Sequence, residues 1–362
     1  MNRCFVTALA VLASAFSCVA GEFHQEEFRI PFTSGVGSYE ALLVRPDEPG
    51  RFPLALVNHG SPRSGADRPN MTPLAMLPEA IEFARRGWAA VVVMRRGYGG
   101  SNGGWAEDYG ACNNPDYIAA ASGAAADLKA ATAYLVKRPD IDPSRMISVG
   151  VSAGGFATVA LAADPPPELV AAISFAGGRG SLKPDEVCGG DRLVEAFREM
   201  GGKSHVPMLW VYAENDHFFG PQLAQQLRQA FTGAGGKAEF IRAPAFGEDG
   251  HSLFSRAGIP VWTGYVDSFL KEQKLVLRPS PLPPPAPPVL AAPNVLSASG
   301  KKSFADYLVS PPHKAFAVAR DGSYGWQSGL RTTQAARDNS LKSCLQHSKT
   351  CDVLYVDDTR VP

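Results

Sequence analysis

Residues Arg145-Met146-Ile147-Ser148-Val149-Gly150-Val151-Ser152-Ala153-Gly154-Gly155 decide how the rest of the chain is read. Arg145 to Val149 has the apolar run of a buried strand, and Gly155 to Ala163 is made almost wholly of small and apolar residues with helical character. Between them stands Gly-x-Ser-x-Gly, and the motif gains its meaning from that strand-to-helix setting. A strand that turns sharply into a helix crowds its corner, and glycines two residues either side relieve clashes that a Cβ would create. Ser152 is then lifted out of the sheet beside the positive end of the following helix. The bland alternative is a glycine-rich turn.

Working outward, Glu26–Pro31 and Tyr39–Val44 alternate apolar and polar, which predicts an antiparallel hairpin. Pro53–Val57, Trp88–Met94, Leu169–Phe175, Pro207–Tyr212 and Ala238–Ile241 are short apolar runs expected as strands. Helices are expected over Met76–Arg86, Tyr117–Val136, Leu193–Met200, Pro221–Phe231 and Val261–Leu270. Trp105–Asp116 and Gly180–Gly190 are expected as loops, holding Cys112 and Cys188. This alternation predicts a mostly parallel sheet flanked by helices, with ligands bound at the carboxyl ends of its strands. Arg95-Arg96-Gly97-Tyr98-Gly99-Gly100-Ser101 imitates a dinucleotide fingerprint, but Asn102 replaces the third glycine and no helix follows at once.

Lys+Arg and Asp+Glu both number 35, so nothing steers the chain toward nucleic acid or an anionic membrane. Its 362 residues suit a large domain plus a small one. Residues 1–20 read as an export signal: Arg3, an apolar stretch Phe5–Phe16, and Cys18-Val19-Ala20 before a cleavage at Gly21. Lipidation at Cys18 is the weaker rival, because Phe16 is bulky where a small residue is expected. A periplasmic or extracellular place follows from the signal. A large domain spans 21–277, a proline-rich spacer 278–293 (RPSPLPPPAPPVLAAP), and a small α+β C-terminal module 294–362. In that module Ala315–Ala319 and Asp352–Val356 are expected strands and Thr332–Gln346 a helix.

Beyond the signal, Cys112, Cys188, Cys344 and Cys351 form an even set, as disulfides in an exported chain would. Three pairings are open. Cys112–Cys188 and Cys344–Cys351 keep each bridge within one domain, the former bracing a pocket wall and the latter stapling a thin core. Free thiols are the alternative.

A serine hydroxyl needs a base, and the base needs an acid to fix its tautomer. His251, in Gly250-His251 after the last strand, is the expected base. His59 and His217 come too early in the chain, His205 precedes a strand, and His24, His313 and His347 lie outside the central stretch. Asp216 is the expected acid, with Glu214 and Asp249 as rivals. The order Ser152, Asp216, His251 is that of the α/β-hydrolase fold.

With these residues in place, Phe28 to Leu275 resembles an α/β-hydrolase of the dienelactone hydrolase-like group. The likeness is carried by His59-Gly60, Arg96-Gly97-Tyr98-Gly99-Gly100-Ser101, Gly150-Val151-Ser152-Ala153-Gly154-Gly155, Glu214-Asn215-Asp216 and Gly250-His251. It implies an oxyanion hole from the N–H of Ala153 and a second donor at Ser61 or Gly60. Dienelactone hydrolases proper use cysteine as nucleophile, so Ser152 shifts the expectation toward esterases and peptidase-like hydrolases and away from lactones. Tyr98, on the same rim, is expected to meet substrate or to serve structurally. No metal spacing and no cofactor signature appears. A small ester or peptide-like substrate is expected. The alternatives are a peptidase or acyltransferase with the same triad, or a non-catalytic protein binding a cell-envelope component through its C-terminal module.

Overall fold

The computed structural model describes residues 22–361, so the expected export signal, with Cys4 and Cys18, lies outside the described residues. The chain opens with an antiparallel hairpin, β1 (Phe23–Pro31) and β2 (Ser38–Pro46). β3 (Phe52–Asn58), α1 (Leu77–Arg85) and β4 (Ala89–Val93) follow. Next come α2 (Tyr117–Leu135), β5 (Ile141–Val151), α3 (Ala153–Ala163) and β6 (Leu169–Phe175). Within residues 180–190, read from sequence as a plain loop, the chain forms a small hairpin, β7 (Ser181–Lys183) and β8 (Glu186–Val187). α4 (Gly190–Lys203), β9 (Met208–Ala213), α5 (Pro221–Gly233), β10 (Ala238–Ala243) and α6 (Ile259–Glu272) complete the larger unit.

The eight-stranded sheet runs β1-β2-β4-β3-β5-β6-β9-β10. The first two pairings are antiparallel and the rest parallel. Alternation along the central strands divides the core in two. Leu54 and Leu56 of β3, with Val91 and Val93 of β4, pack under α2 to α5; Ala55, Val57, Ala90 and Val92 face α1 and α6. The alanines of α2 let it lie close to α3, while Trp262 of α6, wholly buried, packs against Phe83, Phe175 and Phe254. Truncating so large a buried ring costs about 3–5 kcal/mol. Among the described residues no helix is long and apolar enough to cross a membrane.

Residues 278–293 carry no helix or strand, and they are docked rather than loose. Arg85 Nε donates to Leu282 O at 2.6 Å and Leu282 N to Arg85 O at 2.8 Å. The last segment adds α7 (Ala298–Leu308), β11 (Ala315–Val318), β12 (Tyr324–Gln327), α8 (Thr333–Leu345), β13 (Asp352–Val356) and β14 (Thr359–Arg360). Its sheet is wholly antiparallel, β12-β11-β13-β14, over a small core of Leu296, Phe304, Tyr307, Phe316, Val318 and Tyr355. α7, β12 and β14 go beyond the elements expected from sequence. Arg331 reaches from this segment to both oxygens of Glu40 at 3.1 Å and to Met71 O at 2.8 Å. The sulfurs of Cys112 and Cys188 are adjacent, as are those of Cys344 and Cys351, with Cα separations of 5.1 and 6.2 Å.

Candidate active site

β5 ends at Val151, and Ser152 makes the corner with φ 58° and ψ −125° before α3 begins. That left-handed conformation is costly for a residue with a Cβ and persists only where its surroundings hold it. Here they do: Ser152 N donates to Phe175 O at 3.0 Å, and Ser152 O accepts from Phe156 N and Gly178 N at 2.9 and 3.1 Å. The flanking glycines are a steric need. A Cβ at Gly150 would collide with the carbonyl of Gly154, and one at Gly154 with the carbonyls of Asn58 and His59. Below the corner, the buried Asn58 amide donates to Ser148 Oγ and Thr158 Oγ1 at 2.9 and 2.8 Å, tying β3 to β5 and α3.

The end of β9 delivers Asp216, only 2% exposed. Its Oδ1 accepts from the N–H groups of Phe218 and Phe219 at 2.7 and 2.9 Å, and its Oδ2 faces His251 Nδ1 at 3.1 Å. The carboxylate is therefore fixed by its own loop while its second oxygen sets which ring nitrogen of His251 carries a proton. Of the two rivals, Asp249 spends Oδ1 on the N–H groups of His217 and His251, and the half-exposed Glu214 turns to Arg242. The ring of Phe218 stacks on that of His251. Among the described residues no hydrogen bond joins Ser152 Oγ to His251; Phe218 carries the histidine to the margin of the cavity that Ser152 lines.

That cavity, of about 230 Å³, also exposes Ser61 and Ala153. A Cβ built on Gly60 would lie 3.3 Å from Ser152 Cβ, so the turn after β3 passes directly beside the serine. His59 holds this turn. Its Nδ1 bonds Gly60 O at 2.7 Å and its Nε2 accepts from Arg95 N at 3.2 Å. A neutral ring satisfies both, and burial, then the charge of Arg95, keeps its pKa well below the usual histidine range.

Tyr98 does not meet the cavity as expected. It is 0% exposed, and its hydroxyl is engaged by Glu107 at 3.0 Å, Trp105 Nε1 at 3.1 Å and Arg179 Nη2 at 3.3 Å. Burial pushes its pKa up, but Arg179 and Arg95 together draw it below the ordinary value. The tyrosine is part of a buried polar wall, built of Arg95, Glu107 and Arg179. Sequence reasoning missed Arg63, Arg68 and Arg179, which stand in the cavity lining; they belong to no spacing pattern and only the folding of separate loops brings them together.

The family model for dienelactone hydrolases matches residues 82–271. No curated protein matches the chain. Among solved structures, a protein described as a dipeptidyl aminopeptidase IV from Bacteroides ovatus is similar at 14% identity and TM-score 0.54; the match covers 69% of this chain and 36% of that one, so this chain spans about a third of its length. A protein described as a dienelactone hydrolase from Klebsiella pneumoniae is similar at 17% identity and TM-score 0.48, covering 69% of this chain and 99% of the other. An esterase from Pyrococcus furiosus is similar at 14% identity and TM-score 0.48, with 70% and 91% covered. At these identities the likeness concerns the fold.

Proposed function

This chain belongs to the dienelactone hydrolase family, and we propose that it is an exported serine hydrolase that cleaves carboxylic esters through an acyl-enzyme. The observation that carries this reading is the strained corner at Ser152 on the same rim as the Asp216–His251 pair. His251 Nε2 takes the proton of Ser152 Oγ as that oxygen attacks the ester carbonyl. Closing the Ser152–His251 contact is left to substrate entry, since catalytic hydrogen bonds often tighten only in the complex. The developing oxyanion is received by the N–H of Ala153, in the first turn of α3 where N–H groups lack partners inside the helix, and by that of Ser61. Asp216 steadies the imidazolium, which returns its proton to the leaving alcohol. Water, activated by the same ring, then releases the acid.

Export is supported by the leader-like residues 1–20 and by two adjacent cysteine pairs. In this reading residues 21–277 form the hydrolase domain and residues 294–362 a separate small module.

The test replaces Ser152 by Ala and measures turnover of short p-nitrophenyl esters beside labelling by a fluorophosphonate probe. Parent protein should react in both assays and Ser152→Ala in neither. Equal turnover by the two proteins sinks the assignment.

A further inference from the structure

The loop that runs from β3 to α1 forms one side of the Ser152 cavity, and little of its own holds it in place. Ser61, Pro62, Arg63, Gly65 and Arg68 line the cavity, yet the short 3-10 helix Gly65–Asn70 within the loop buries no residue against the described chain. A stretch without core contacts takes its position from whatever fastens its ends. At the near end it leaves β3 through the buried His59. At the far end the fastening comes from the C-terminal segment. Arg331 sets its two Nη groups on the two oxygens of Glu40, at 3.1 Å each, and Nη1 also donates to Met71 O at 2.8 Å. Beside it, the buried Thr72 hydroxyl donates to Gly329 O at 3.0 Å.

These contacts converge on one turn. Glu40 Oε2 accepts from Gly100 N at 2.6 Å, and Gly99 N donates to Arg68 O at 2.9 Å, so Arg331 braces both the loop and the glycines against which the loop rests. The fit leaves no room for a side chain. A Cβ at Gly99 would lie 2.7 Å from Glu40 Oε2 and 2.8 Å from Met71 O, and one at Gly100 would lie 2.9 Å from Arg331 Nη2. A half-exposed ion pair is worth little alone, but a bidentate guanidinium fork that also holds a backbone carbonyl is the exception. Arg331, Glu40 and Met71 all lie outside residues 82–271, the stretch matched by the family model. We propose that Arg331 is a positioning residue for the Ser152 site: through Glu40 and Met71 it sets the loop that carries the Ser61 N–H beside the serine, and so makes the C-terminal segment a working part of the hydrolase. The proposal rests on the serine-hydrolase reading and adds to it a residue that acts on the site only through others.

The experiment compares the full protein with Arg331→Gln in two ways. Turnover of 4-nitrophenyl butanoate reads the site, and trypsin nicking after the exposed Arg63, followed by mass mapping, reads the loop. In Arg331→Gln, kcat should fall roughly tenfold, and at least about threefold, with KM within about twofold, because a displaced oxyanion donor is felt in the transition state more than in the ground state. Nicking after Arg63 should quicken by a comparable factor, while nicking after Arg198, in α4, keeps its rate. Arg331→Lys, which keeps a charged donor, should recover part of kcat. An undiminished kcat, a loss confined to KM, or a fall in kcat without quicker nicking at Arg63 overturns the proposal. Quickening at Arg198 equal to that at Arg63 also overturns it, since the variant has then only loosened the whole fold. Should Arg331→Gln fail to fold by circular dichroism, Glu40→Gln is judged on the same readouts; it keeps an acceptor for Gly100 N and removes the charge that Arg331 pairs with. The Ser152→Ala control separates the two levels. If it turns over the ester like the parent, the serine reading falls and this one with it; if it is inert while Arg331→Gln keeps full kcat, only the role of Arg331 falls.

Discussion

Phe218 lies flat on His251, with ring centroids 3.8 Å apart and planes 9° from parallel, and its own N–H donates to Asp216 Oδ1. One residue thus touches Asp216 through its backbone and His251 through its side chain. Arg63 sits over the same ring at 3.5 Å. Removing the ring in Phe218→Ala leaves the backbone donor in place but frees the imidazole to tilt. The expected result is a fall in kcat of about 10–100-fold, since small misplacements of a reacting group carry losses of that size. Steady-state kinetics of Phe218→Ala beside Phe218→Tyr, which keeps the stack, checks it; equal loss in both variants would remove the ring from the account.

Asp216 is held by two backbone donors and is nearly inaccessible, so Asp216→Asn should retain the fold while presenting a donor where His251 needs an acceptor. Loss of the correct tautomer at the equivalent place in a serine triad costs on the order of 10⁴ in kcat. Turnover lowered less than about tenfold, with a tautomer-sensitive nitrogen-15 spectrum of His251 unchanged, would argue that the pair is structural.

Glu79, on the inner side of α1, is 3% exposed and its Oε2 has no hydrogen-bond partner among the described residues. Burial pushes its pKa from 4.5 up to about 8. The folded state therefore keeps a proton that the unfolded chain gives up, and stability from this group is full below pH 4.5 and declines as pH rises toward 8. Glu79→Gln should match the parent near the acid end and exceed it by on the order of a few kcal/mol at most at the alkaline end. Urea melts of both proteins across that window measure the difference; parallel curves would refute it.

The two cysteine pairs close loops of very different length, with sequence separations of 76 and 7. On the chain-entropy account, losing the long one costs about 4.5 kcal/mol and the short one about 2–3 kcal/mol. Paired Cys→Ala variants, compared by denaturant melts, should rank in that order. Peptide mapping without reductant should recover Cys112 with Cys188 and Cys344 with Cys351.

The corner at Ser152 was readable because its constraints are local. Glycine at 150 and 154, an apolar strand before them and a small-residue helix after them leave few other backbones. The clash that a Cβ would meet at each of these glycines is with atoms only a few residues or one strand away. Strand ends placed Ser61, Asp216 and His251 on one rim for the same reason. Tyr98 was harder. Its loop does reach the rim, but the direction of the side chain depends on Glu107 and Arg179, which no periodicity links to it. The C-terminal segment was only partly readable: α7 buries just Gly300, Phe304 and Tyr307, too sparse a face to stand out, and β12 is four residues long with Gly325 pressed against α8.

The reciprocal pair of hydrogen bonds between Arg85 and Leu282, with Tyr355 Oη donating to Ala291 O at 2.6 Å farther along, makes the proline-rich stretch a splint rather than a tether. Its two ends are fastened to different bodies of the molecule. A protease nick within it would leave both fragments clasped together, and lengthening it would add slack without granting either body independent tumbling.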